Sequence, residues 1–138
     1  MKFAKITSDN LNYLKDFMAV IGSSSYSFRY YNSRDFLVTE NHIITLLLYD
    51  NEFVGYGHLD KEDNKVWLGI CVKEGCFGKG YGKKIMEKLV KSYTGDIYLS
   101  VDDDNSRAIR LYKLFDFIEI NKDDDIIYMK RKANDNSN

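Results

Sequence analysis

The chain has 138 residues, 44% of them hydrophobic and 30% charged, with twenty Lys and Arg against twenty-one Asp and Glu. That length suits one domain and that apolar content fills a core, which excludes a disordered or fibrous polypeptide as a global description. A formal charge of −1 excludes a global pull on nucleic acid or on an anionic membrane surface, so an anion site has to be built locally. The apolar runs fall far short of the roughly 20 residues of a membrane span, and Met1–Lys5 lacks the apolar stretch of a signal peptide. The cytoplasm is the expected compartment, with no nucleic-acid or membrane partner. Cys71 and Cys76 lack Cys-x-x-Cys spacing and are read as reduced thiols, Cys71 buried and Cys76 incidental in a loop. Two isolated histidines predict no metal.

Proline is absent, so the breaks are marked by Gly, Asn, Asp and Ser. Ser8 is placed to cap a first helix whose Leu11, Leu14, Met18 and Ile21 recur at helical intervals, ended by Gly22 to Ser25. Tyr26 to Asn41 reads either as a short helix capped by Asn32 or Ser33 or as an acceptor-side loop. From Ile43 the period becomes that of strands: Ile43–Tyr49, Glu52–Leu59 and Lys65–Val72, separated by turns at Asp50-Asn51 and at Lys61 to Asn64. After Gly75 to Gly82, the residues Tyr81, Ile85, Met86, Leu89 and Val90 form a helical stripe, and a strand Ile97–Val101 follows. Asp102 to Asn105 offer N-caps to a helix with the stripe Ala108, Leu111, Tyr112 and Phe115. Phe117–Ile120 and Ile126–Lys130 close the chain around the acidic turn Lys122 to Asp125. The order is that of a mixed α/β layer fold, with residues 1–132 as a single domain and 133–138 as a disordered tail.

The strongest chemical signal is Gly78-Lys79-Gly80-Tyr81-Gly82-Lys83-Lys84, between a strand and an amphipathic helix. Residues without a Cβ let the backbone approach a ligand, and amide N–H groups at a helix start face an anion along with the positive end of the helix dipole. A phosphate or pyrophosphate is the natural guest. The spacing excludes a Walker loop, which needs Ser or Thr after Gly82-Lys83, and it excludes the G-x-G-x-x-G fingerprint of dinucleotide sites.

Two segments resemble the GNAT superfamily of acyl-CoA-dependent N-acetyltransferases. The strand Trp67 to Val72 followed by Gly78-Lys79-Gly80-Tyr81-Gly82 is similar to the family's acyl-CoA loop, Gln/Arg-x-x-Gly-x-Gly/Ala. Asn105-Ser106-Arg107-Ala108-Ile109-Arg110-Leu111-Tyr112 is similar to its Asn-x-x-Ala-x-x-x-Tyr helix. Phe77 stands where the family has Gln or Arg, and Asp116 stands where a glycine is expected, in a left-handed turn that aspartate tolerates. The resemblance implies an α/β (α+β) fold, a mixed and mainly antiparallel sheet of about six to seven strands flanked by about four helices. It also implies acetyl-CoA as cofactor, with CoA as product. Phe77, Gly78, Lys79, Gly80, Tyr81, Gly82 and Lys83 would hold the pyrophosphate, and Ile70, Cys71 and Val72 would pair with the pantetheine arm. Asn105 has two compatible readings, helix N-cap and cofactor contact. Gly69 makes a bulge plausible in this strand, at the point where the family splays it from the next.

A primary amine with a pKa near 10.4 is about 3.4 pK units from neutral form at pH 7, a cost of about 4.6 kcal/mol, so a base is expected. His58 suits that role and equally suits a structural hydrogen bond within the sheet. Asp60 and Glu62 are second choices. The resemblance gives Tyr112 the part of general acid, while its place in the apolar stripe gives its ring a packing role. Arg29, Tyr31, His42 and Trp67 are the candidates for contact with the acceptor. Three functions are compatible with these residues: acetyl transfer to the amine of a small molecule such as an amino sugar or polyamine, transfer to a protein lysine or N-terminus, and non-catalytic acyl-CoA binding. A homodimer is a fair expectation for a small fold with sheet edges.

Overall fold

A computed structural model describes residues 1–7, 9–20 and 42–133. Seven strands form one sheet in the order β1-β2-β3-β4-β5-β7-β6, built from β1 (Lys2–Lys5), β2 (His42–Tyr49), β3 (Phe53–Glu62), β4 (Lys65–Val72), β5 (Ile97–Asp102), β6 (Ile118–Asp123) and β7 (Ile126–Arg131). Every neighbouring pair is antiparallel except β4 and β5, which run parallel. Among the described residues there are three helices, α1 (Leu11–Val20), α2 (Tyr81–Lys91) and α3 (Ser106–Leu114). The possible helix within Tyr26 to Asn41 and the capping residue Ser8 lie outside the described residues. None of the three helices is long and apolar enough to cross a membrane.

The strand-period segments fold as meander and hairpins because their turns carry residues that accept left-handed backbone. Asp63 and Asn64 have φ of 54° and 62°, the two-residue turn that matches strand twist, so Glu62 pairs directly with Lys65. The expected four-residue turn is therefore corrected: Lys61 and Glu62 belong to β3. Asn51 and Asp124 turn the other two hairpins with φ of 65° and 53°. β1 escaped the sequence reading, since four residues give too short a run for a period; Phe3 lies opposite Leu48 on an edge of the sheet.

Two apolar layers sandwich the sheet. On one face Ile85, Met86 and Leu89 of α2 pack with Leu46, Leu48, Leu59 and Leu68. Gly55 and Gly57 make that approach possible, because a Cβ at either would stand 2.5 Å from Ile85. On the other face Leu14 and Phe17 of α1 pack with Leu47, Tyr56 and Cys71. Helix α3 ends as its stripe predicts. The Phe117 amide donates to the Tyr112 carbonyl and the Asp116 amide to that of Lys113, with Asp116 in left-handed backbone at φ 71°.

Candidate active site

The site grows from a parting of strands. β4 pairs with β3 without a register shift from Glu62↔Lys65 to Gly55↔Val72, but it pairs with β5 only at Val66↔Ile97 and Trp67↔Tyr98. Beyond Trp67 the two strands diverge, and among the described residues β4 has no further ladder pairs with β5. The expected bulge at Gly69 is not what opens the sheet. Gly69 sits opposite His58, and a Cβ there would stand 2.1 Å from His58 Cε1. The glycine makes room for an imidazole from the neighbouring strand.

A cleft of about 130 Å³ lies where the strands part, between the loop leading into α2 and the first turns of α3. It brings together Ile70, Cys71 and Val72 from β4, Phe77, Gly78, Gly80, Tyr81 and Gly82 from the loop, and Asn105 and Tyr112 from α3. These ten are candidates from the sequence. Lys79 and Lys83 are exposed and do not line it. Cys76, Arg107, Ala108 and Leu111 also line it and had not been selected. The helical spacing of Asn105, Ala108, Leu111 and Tyr112 carried a signal for two of these, as one face of α3. Cys76 is buried against the core under the loop, a correction to its reading as an incidental thiol.

The loop has the form of an anion cradle. Gly78 and Gly80 have φ of 79° and 82°, and a Cβ at either would meet nothing within 4 Å, so the space beside the backbone is open. No side chain stands in the way of a close approach to the backbone there. Gly82 serves a different end: its missing Cβ lets Leu111 of α3 approach, at 3.0 Å from where that atom would be. The β2–β3 turn braces the loop from behind. Tyr81 donates its hydroxyl to Asp50 Oδ2 at 2.6 Å, and Lys73 pairs with Glu52. The hydrogen bond to Asp50 pushes the Tyr81 phenol up to about 12.

At the inner end of the cleft the groups are buried. Burial pushes the Cys71 thiol up to about 12, and burial followed by the nearness of Cys71 raises the Tyr112 phenol above its ordinary range. Both therefore keep their protons at neutral pH. The Tyr112 ring packs 6.0 Å from Phe117, and Asn105 accepts from the Ala108 amide at 3.3 Å, capping α3.

The remaining candidates lie elsewhere. His58 is fully buried beside Gly69 and does not line the cleft; Asp60, two residues on, is equally buried. Trp67 stacks 5.6 Å from Tyr98 and lines a second depression with Lys65 and Tyr128. His42 begins β2 with its backbone opposite Asp60. Arg29 and Tyr31 lie outside the described residues.

The sequence model of the Acetyltransferase (GNAT) family matches residues 10–117, which include β2 to β5, the glycine loop and α3. The chain belongs to the GNAT acetyltransferase family. This GNAT domain is 39% identical over 85 residues to the spermine/spermidine N(1)-acetyltransferase of Bacillus subtilis strain 168, across 51% of this chain and 56% of that protein. A probable spermine N(1)-acetyltransferase of Bacillus subtilis subsp. natto is 38% identical over the same shares. The domain thus spans about half the length of the curated relatives it matches. Its fold is shared with the PaiA N-acetyltransferase of Thermoplasma acidophilum in complex with coenzyme A, at a TM-score of 0.70 and 18% identity over 96% of this chain and 98% of that one. Escherichia coli ElaA superposes at 0.72 with 21% identity, covering 96% and 100% of the two chains.

Proposed function

We propose that this GNAT domain transfers an acetyl group from acetyl-CoA to a primary amine of a small molecule, with polyamines as the first acceptors to test. The observation that carries the reading is one cleft lined by the glycine loop, by β4 where its pairing with β5 ends, and by the buried Tyr112. Family membership supports the reaction class, and the names of the two Bacillus relatives support the acceptor class.

The residues present fit the cofactor. Open space beside Gly78 and Gly80 admits a phosphate against the backbone, and the edge of β4 beyond Trp67, where its pairing with β5 ends, offers main-chain groups to an extended amide-bearing arm. When bound, acetyl-CoA supplies the acyl group as a thioester. Amides of the loop from Phe77 to Lys83 bind and orient, and main-chain groups at the β4 edge beyond Trp67 polarise a carbonyl. Tyr112 holds a proton at its phenol oxygen for a leaving thiolate, and burial keeps that proton in place at neutral pH. In this reading His58, fully buried beside Gly69 and outside the cleft lining, has the packing role within the sheet rather than that of proton acceptor. Leu111, Ala108 and Tyr112 close the cleft with apolar surface and exclude water.

The test is thiol release from acetyl-CoA in the presence of spermidine, spermine, an amino sugar and a lysine peptide, for wild type and Tyr112→Phe. Turnover with the polyamines, a kcat loss of about 100-fold or more in the variant, and a CoA affinity unchanged within about threefold are expected. Preference for the peptide over free amines would overturn the acceptor class, and CoA binding without turnover on any amine would overturn the enzymatic reading.

A further inference from the structure

The cradle in the loop is made of backbone, and the residue at its start, Phe77, brings no charge of its own. Facing it across the cleft is Arg107, whose guanidinium carbon lies 4.0 Å from the centroid of the Phe77 ring. That is a cation–π contact at close range, which holds the guanidinium against the ring. The contact leaves the N–H groups of the fork for other partners. The five N–H donors of a guanidinium lie in its plane, the fork that matches a phosphate in bidentate fashion. Among the described residues Arg107 takes part in no ion pair, whereas Lys73, Lys122 and Lys130 each hold a carboxylate.

The position of Arg107 also runs against helix electrostatics. It is the second residue of α3, whose first turn holds no acidic residue. A cation beside the positive end of a helix is disfavoured, so the side chain is not there for the helix. The first turn of α2 likewise has no acidic residue and holds Lys83 and Lys84. Both helix starts thus open onto one cleft, with Asp102 to Asp104 just ahead of α3, and Arg107 lines that cleft beside Phe77.

We propose that Arg107, held against Phe77, is the side-chain phosphate ligand of this cleft, binding a phosphate of CoA. The proposal rests on the acetyl-CoA reading above. It deepens that reading by naming a charged partner for a cradle otherwise made of amides. Phe77 is the positioning residue: its ring holds the guanidinium. The phosphate is either one of the pyrophosphate pair or the 3′-phosphate of the ribose, and the two are separable with 3′-dephospho-CoA.

The experiment is calorimetric titration of CoA and 3′-dephospho-CoA into wild type, Arg107→Gln, Phe77→Leu, and the double variant Phe77→Arg with Arg107→Gln, with a ligand-free melt of each. Both residues are exposed, so the melts should coincide. Arg107→Gln is expected to weaken CoA about 10- to 100-fold and to flatten the dependence of affinity on salt. An equal loss for both ligands assigns the pyrophosphate, and a loss confined to CoA assigns the 3′-phosphate; either supports the proposal. Phe77→Leu should weaken CoA less, and Phe77→Arg should restore part of what Arg107→Gln removes. Wild type that binds neither ligand would defeat the acetyl-CoA reading itself. Wild type that binds while Arg107→Gln binds equally well, within twofold, would overturn this inference and leave that reading standing.

Discussion

Gly69→Ala is a substitution of one methyl group that the sheet has no room for. The new Cβ would lie 2.1 Å from His58 Cε1 and 2.8 Å from each imidazole nitrogen, where ordinary carbon contacts lie at about 3.5–4.0 Å. A separation of that size demands a shift of more than 1 Å, roughly, in a ring that is fully buried and flanked by Thr45 on β2 and Gly69 on β4. Overpacking of this kind costs about 1–3 kcal/mol, and the rigid three-strand setting argues for about 3. In a chain of this length that lowers Tm by about 10–15 °C. His58→Ala alone opens a cavity and is also destabilising, but in the double variant the two changes relieve each other, so the sum of the single effects should exceed the double by about 2 kcal/mol. Urea unfolding of the four proteins measures the cycle. Should Gly69→Ala fail to fold, the comparison of His58→Ala with the double variant still decides it: the extra methyl should then be harmless. Gly69→Ala as stable as wild type, or a cycle additive within about 0.5 kcal/mol, would refute the account of Gly69 as the seat of the imidazole.

Three further outcomes are expected. Asp116→Gly should raise stability by about 0.5–1 kcal/mol, because φ of 71° suits glycine and the motif that ends α3 prefers it; a destabilised variant in urea melts would contradict this. Gly80→Ala should cost about 1 kcal/mol through its φ of 82° alone, since no atom stands within 4 Å, and an unchanged melt would show the loop free to adopt another conformation. Cys71 has its thiol raised from 9.0 to about 12 in the fold, so its contribution is complete below pH 9 and is lost as pH rises toward 12. Over that window stability should fall by about 1.4 kcal/mol per pH unit. The same unfolding series on Cys71→Ala should be shallower by that slope, and parallel profiles would sink the assignment.

Much of the fold was legible because it is written in local chemistry. The pairs Asp63-Asn64 and Asp50-Asn51 mark turns by their tolerance of left-handed backbone, and the stripe from Ala108 to Phe115 marks a helix by its period. The glycine loop and the Asn105 to Tyr112 helix were recognisable as parts of one site, and the cleft contains ten of their residues. What stayed hidden depends on partners distant in sequence. Gly69 reads as a bulge until His58 is seen across the strand. Arg107 stands in the Asn105 to Tyr112 motif without a role of its own until it is found over Phe77, thirty positions earlier. Cys76 reads as a loop thiol because nothing local tells that the loop folds onto the core. β1 has only four residues and takes its meaning entirely from β2.

The two rungs between β4 and β5 divide the sheet along a seam. On one side stand β1 to β4 and on the other β5, β7 and β6, each set fully paired within itself. Main-chain bonding hardly fixes how far the halves stand apart beyond Trp67, so that distance is left to side chains, above all to Leu111 of α3 resting on Gly82 of α2. The gauge of the cleft is therefore set within its own walls. A larger residue at position 82, or a smaller one at 111, would resize the entrance while leaving the main-chain groups of Gly78 and Gly80 in place, which makes this contact a route by which such a domain drifts toward new guests.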